Sequence, residues 1–303
     1  MKYEAFMEQV LQAVRERVGG DVQISLQKIQ KNNGTEKAAL SFRREGSTVC
    51  PLIYLEGFYE SYQADGETAE ALQKVVNDVE HEREKYNYEM EVEKIAEMFS
   101  DLDRWKDAII FRLINRERNE ELLEERAYVP FLDLAAELLV YVGEGPEGFF
   151  TVPIRMEHIQ KWGVTEEYLY ELAKKNTARI FPVQIETMNT LLEKLLGELW
   201  EELEDVPEMY ILYNQRFYCG AATLLYDGQL ERIAQKLQSD FIVLPSSIHE
   251  VLLLPFDSIE EVGLDEWKDT VGEINREDVR AEDWLSDHVY VYRRETGALE
   301  IAV

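Results

Sequence analysis

The chain has 303 residues, 46% of them hydrophobic and 31% charged, a globular composition long enough for one large domain or two modest ones. Its 61 Asp and Glu outnumber 32 Lys and Arg, and the formal net charge of -29 repels both the phosphate backbone of nucleic acid and anionic membrane surfaces. No apolar run approaches the roughly 18 residues that a membrane-spanning helix needs.

The amino-terminal stretch carries Phe6, Met7, Val10, Leu11, Val14 and Val18 at three- and four-residue spacings, which predicts an amphipathic helix over 3–18 closed by Gly19-Gly20. Its acidic residues do not suit a secretory leader, so no export and a reducing cytoplasm are expected. Val22, Ile24 and Leu26 then alternate, Asn32-Asn33-Gly34 reads as a turn, and Ala38 to Phe42 is β-prone, together a hairpin. A third strand is expected from Val49 to Leu55. Helical spacing resumes from Glu67 to about Phe99, with a charged, Tyr-rich stretch at His81 to Glu91 expected to be a break or an exposed face.

Farther along, Ala108 to Leu113, Leu134 to Val142 and Phe149 to Ile154 predict strands, and Glu157 to Trp162 a helix stopped by Gly163. Thr165 is placed to cap the next helix. That helix has Glu166 and Glu167 in its first turn and Lys174 and Lys175 in its last, which matches the helix dipole at both ends. Met209 to Tyr213 and Ala221 to Leu225 are expected to pair as a hairpin, followed by a helix through Leu230, Ile233, Ala234 and Leu237. The short apolar runs Phe241 to Leu244 and Val251 to Leu254 predict a second hairpin buried on both faces. The fold class expected is α+β, a mostly antiparallel sheet built from hairpins and covered by helices, with a unit over 1–100 and another over 101–303.

Gly143-Glu144-Gly145-Pro146-Glu147-Gly148 matches the dinucleotide-binding spacing, but the strand-like Phe149-Phe150-Thr151-Val152 follows where a helix should open, and two glutamates would face the phosphates. A hairpin turn explains it better. No phosphate-binding loop, HExxH, GxSxG or calcium loop is present, and no cofactor is implied. The two cysteines, Cys50 and Cys219, are too far apart in sequence for a CxxC knuckle and are expected to be free, buried thiols; no metal site is expected.

Chemistry-bearing residues concentrate late in the chain. His249 and Glu250 fall in the loop Ser246-Ser247-Ile248-His249-Glu250 between buried strands, and Asp287 and His288 precede the last strand pair. Those four are the candidate catalytic residues, with Ser246 and Ser247 as candidate binding residues, because loops held by a rigid sheet are where function tends to sit. His81 sits between Glu80 and Glu82 in a charged helix and is expected to be solvated, and His158 carries no recognisable partner in the sequence. The acidic runs Glu117 to Glu125 and Glu198 to Asp205 read as solvated helix faces or, more sharply, as an imitation of DNA.

Several separated, unusual strings stand out: Cys50-Pro51-Leu52-Ile53-Tyr54-Leu55, Val129-Pro130-Phe131-Leu132-Asp133-Leu134-Ala135, Trp162-Gly163-Val164-Thr165-Glu166-Glu167, Leu244-Pro245-Ser246-Ser247-Ile248-His249-Glu250-Val251 and Leu285-Ser286-Asp287-His288-Val289-Tyr290. In these the chain resembles domain-of-unknown-function family 5688 of anaerobic gut Gram-positive bacteria, over nearly its whole length. The resemblance implies a bacterial cytoplasmic protein and supplies no catalytic residues. A non-enzymatic protein-binding or regulatory role is therefore the leading expectation, with another protein as partner. The alternatives are a hydrolytic or metal-assisted enzyme using the 246–250 loop with Asp287 and His288, and an acidic DNA-mimic inhibitor of a DNA-binding protein.

Overall fold

A computed structural model describes residues 1–18, 20, 22–44, 52–85, 101–145, 148–197, 208–245, 247–258 and 263–303. Cys50, Ser246 and the acidic run 198–205 lie outside them. The chain divides into two compact units, Met1–Asp101 and Leu102–Val303.

In the first unit, helix α1 (Tyr3–Arg17) buries Phe6, Met7, Val10, Leu11 and Val14, the apolar stripe that the sequence spacing predicts. Strands β1 (Val22–Gln30) and β2 (Glu36–Arg44) pair antiparallel across a tight turn in which Asn33 and Gly34 take positive φ, and β3 (Leu52–Tyr54) extends the sheet from β2. The sheet face bearing Ile24, Leu40, Phe42 and Ile53 packs into one core with α1, α2 (Glu56–Ala64) and α3 (Ala69–Lys85). Of the two readings for His81 to Glu91, the exposed face holds as far as the structure describes the segment, since α3 runs on to Lys85; residues 86–91 lie outside the described residues. Val79 still buries against the core and Arg17 holds Glu80 at 3.1 Å, so the charged residues are the outer face of a continuing helix.

The second unit holds two antiparallel sheets. In the first, β6 (Leu134–Gly145) is twelve residues long. It pairs with β4 (Ile109–Asn115) along one edge, and with β5 (Tyr128–Phe131) and then β7 (Gly148–Pro153) along the other. Gly148 thus opens a strand, which confirms the hairpin reading of the glycine-rich segment; Pro146 and Glu147 lie outside the described residues. The acidic run 117–125 forms a 3-10 turn (Glu117–Asn119) and the short helix α4 (Glu120–Leu123) with its glutamates exposed, the solvated helix face expected. Helix α5 (Met156–Trp162) ends at Gly163 with φ 65°, and Thr165 Oγ1 caps α6 (Glu166–Ile180) by accepting from Tyr168 N.

The second sheet runs β13-β12-β10-β11-β9-β8, comprising β8 (Val183–Thr187), β9 (Tyr210–Asn214), β10 (Phe241–Leu244), β11 (Val251–Pro255), β12 (Tyr290–Arg293) and β13 (Ala298–Ile301). Helix α7 (Met188–Leu196) follows β8. Helix α8 (Gln229–Leu237) precedes β10, and α9 (Leu264–Glu277) covers the face that carries Ile242, Leu244, Leu254 and Val291. Phe241, Val243 and Leu253, on the opposite face, are also fully buried, as two short apolar runs require.

One predicted strand is corrected. Ala221 to Leu225 does not pair with β9 but forms a 3-10 turn over Gly220–Leu225. Both edges of β9 are already taken, by β11 and β8, so a further strand has nowhere to bond. Residues 221–224 are all buried, a condition under which periodicity cannot separate strand from helix.

Candidate functional site

One end of the six-stranded sheet gathers most of the chemistry in the second unit. The register places Asn214, Val251, Leu244 and Tyr290 together at that end, so three segments meet there: 215–220 after β9, 245–250 between β10 and β11, and 283–289 before β12. Backbone bonds join them. Ile248 N donates to Asp283 O at 2.8 Å, Ser286 N to Pro245 O at 2.9 Å and Ala221 N to Ile248 O at 3.1 Å, and Ser247 bridges to Trp284. Gly220 is packed so closely that a Cβ there would sit 2.2 Å from the carbonyl oxygen of His249.

The structure brings the 246–250 and 286–288 residues into one place but pairs them differently from their sequence neighbours. His249 Nε2 lies 3.2 Å from Asp283 Oδ1, and the other Asp283 oxygen takes Arg280 Nε at 2.8 Å and Nη2 at 2.7 Å. Ser247 Oγ accepts from His249 N at 3.0 Å. His249 Nδ1 is buried with no hydrogen-bond partner. His288 Nδ1 meets the carbonyl of Val303 at 3.0 Å, and Asp287 Oδ1 accepts from Trp284 Nε1 at 2.8 Å and Asn275 Nδ2 at 2.7 Å. Arg118 lies over the Trp284 ring, 3.6 Å from its centroid. Asp287 and His288 thus tie loops together, whereas His249 and Asp283 form an acid–base pair.

The bond to Asp283 raises the pKa of His249 against the opposing effect of burial, and the nearby charge of Glu250 acts in the same direction. Burial works to raise Asp283, but His249 and Arg280 overcome it and hold the carboxyl below its ordinary value. The stabilising effect of the raised His is complete below about pH 6.5 and is lost as pH rises through its folded value; that of the lowered Asp is complete above about pH 4 and is lost as pH falls. Urea unfolding of wild type and His249→Ala across pH should therefore show the largest gap, about 1 kcal/mol, between roughly pH 4 and 6.5, shrinking above that window. A gap that grows towards pH 8 would contradict the pairing.

Four further features shape this region, and of these only Cys219 was singled out in the sequence, as a free, buried thiol. Asp133, in the turn before β6, accepts from Ser286 Oγ at 2.6 Å and Tyr290 OH at 2.5 Å, which fastens the site end to the four-stranded sheet. Cys219, the one cysteine among the described residues, is buried and takes a left-handed backbone, φ 47° and ψ 42°. Burial pushes its thiol up to about 11, so it is protonated at neutral pH. Glu137 on β6 is fully buried between Arg112 of β4, whose Nε donates at 2.6 Å, and Arg126, whose Nη1 donates to the other oxygen. Burial acts to raise this carboxyl, and the two guanidiniums outweigh it and hold it low. A lone charge within Leu134-Ala135-Ala136-Glu137-Leu138-Leu139-Val140 was a readable signal, since a carboxylate buried in a strand must find a cation.

The fourth feature is Phe217. It is 61% exposed and has φ 52°, in a loop where Asn214 Oδ1 accepts from Arg216 N at 3.0 Å and Asn214 Nδ2 donates to Tyr218 O at 2.6 Å. Its ring stacks on Tyr213 with centroids 4.7 Å apart. Among the described residues no cluster of three His, Cys, Asp or Glu is placed to hold a metal, and no helix is long and apolar enough to cross a membrane.

The family model described as "Family of unknown function (DUF5688)" matches residues 3–294. No curated protein and no solved structure matches the chain.

Proposed function

Since the chain belongs to this family of unknown function, its role has to be read from its own surface, and we propose that it is a non-enzymatic binding protein for a basic protein partner. The observation that carries this reading is Phe217. A large aromatic residue held outside the core in a left-handed backbone works against both solvation and local conformation, at about 1–3 kcal/mol for the backbone alone. Such a cost persists where the surroundings impose it, and here the Asn214 side chain imposes it through both of its polar ends. Exposed aromatics on pinned loops suit the central anchor of an interface.

Charge selects the partner. With 61 acidic against 32 basic residues, the surface attracts a cationic protein and repels polyanions. Beside the anchor, Glu186 accepts from Tyr213 OH at 3.0 Å and from Lys194 Nζ at 2.6 Å, and Glu144 pairs with Arg216, so the attraction for a cation comes from the chain's net charge and not from unpaired carboxylates at the aromatic pair. A protonated thiol at Cys219 and the structural ties of Asp287 and His288 favour binding over catalysis at the same loops.

Affinity capture from extract of the cells that make the protein, followed by titration with the purified partner, tests this. The partner should be basic, its association should slow steeply as salt rises, and Phe217→Ser should weaken binding by about 30-fold or more, the effect of an interface hot spot. Capture of no protein, salt-independent association, or equal binding by the folded variant would each overturn the reading.

A further inference from the structure

We propose that the guanidiniums of Arg112 and Arg126, held from either side by the buried carboxylate of Glu137, form a binding site for the oxyanion of a small ligand, a phosphate or carboxylate group. The inference does not depend on the protein-binding reading. Two cations share one anion here, which leaves one positive charge in excess beside a fully buried carboxylate. The side chains of Arg112 and Arg126 are 20% and 22% exposed, so each lies mostly buried with a part at the surface, while the carboxylate that orients them has no exposure.

Neighbouring groups do not cancel the excess. Cys219 and Tyr218 lie within reach of the Arg112 charge, but burial raises the thiol to about 11 and the phenol to about 12, so both are neutral at physiological pH. Asp283 acts electrostatically on Cys219, yet its two oxygens already serve His249 and Arg280. Glu137 takes only Nε of Arg112 and Nη1 of Arg126, and no other acceptor bonds either guanidinium among the described residues. The remaining N–H groups form planar forks suited to the paired oxygens of a carboxylate or phosphate. Because the rest of the chain carries a strong negative charge, a compact ligand with one or two charges is favoured and a polyanion is repelled. The competing explanation is a triad that only supports the fold, with its outer nitrogens solvated by water.

Calorimetric titration of the whole protein with inorganic phosphate, and separately with succinate, at matched ionic strength with chloride as control, decides between these. The expected result is saturable one-to-one binding of at least one probe with a dissociation constant below about 1 mM, weakened at least about tenfold in Arg126→Gln. Whichever probe binds more tightly identifies phosphate or carboxylate as the ligand group. Arg126→Lys, which keeps the charge and loses the fork, should fall between wild type and Arg126→Gln, and it carries the comparison if the glutamine variant does not fold. No saturable binding to folded wild type up to about 10 mM, or a folded Arg126 variant that binds as tightly as wild type, overturns the proposal.

Discussion

Replacing Glu137 with alanine is expected to destabilise the second unit by about 3–5 kcal/mol, a large share of the roughly 5–15 kcal/mol that holds a typical domain together. The carboxylate has no exposed surface and receives a guanidinium on each oxygen. Its removal leaves a cavity in the middle of the longest strand and two like charges facing each other across it. Glu137→Gln fills the space but still strands the cations, so it too should be destabilising. Replacing Arg112, Glu137 and Arg126 together with apolar residues of similar volume should instead be close to neutral, because no uncompensated charge remains. Equilibrium urea unfolding measures all three. A loss under about 1 kcal/mol for Glu137→Ala would mean that the triad is solvated and contributes little.

Gly220→Ala should cost about 3 kcal/mol or more, although it adds a single methyl group. The added Cβ would lie 2.2 Å from His249 O, 3.0 Å from Asn214 N and 3.1 Å from Tyr213 Cα, all main-chain atoms that no rotamer change can move aside. The 219–221 and 248–249 segments would have to separate, which breaks the Ala221 N to Ile248 O bond and displaces the His249 ring from Asp283. Lower stability should therefore come with the loss of the pH dependence described for His249. Gly228→Ala is a useful comparison, because that glycine has φ 67° but nothing within 4 Å of a Cβ, so its cost is conformational and smaller. Equal losses at the two positions would argue against close packing at Gly220.

Much of the local structure was legible in the residues. The α1 stripe, the Asn33-Gly34 hairpin, the Thr165 cap and the paired apolar runs of β10 and β11 follow from periods of 3.6 and 2 and from turn and cap chemistry, which act over a few residues. The readings that failed needed long-range information. Ala221 to Leu225 looks like a strand until both edges of β9 are known to be occupied, and β5 and β8, at four and five residues, are too short to show a period of their own, whereas α7 and α9 do carry a helical apolar spacing. Composition alone determined a strongly acidic protein, because net charge is a sum over the chain, and the order of periodic segments determined the α+β class. Only the tertiary structure decided that His249 answers to Asp283 instead of Glu250, that Glu137 holds Arg112 and Arg126, and that Asn214 turns Phe217 outward. The physical reason is that a carboxylate or an aromatic ring acts on whatever lies within a few ångströms of it, and an antiparallel sheet brings together residues dozens of positions apart in the chain.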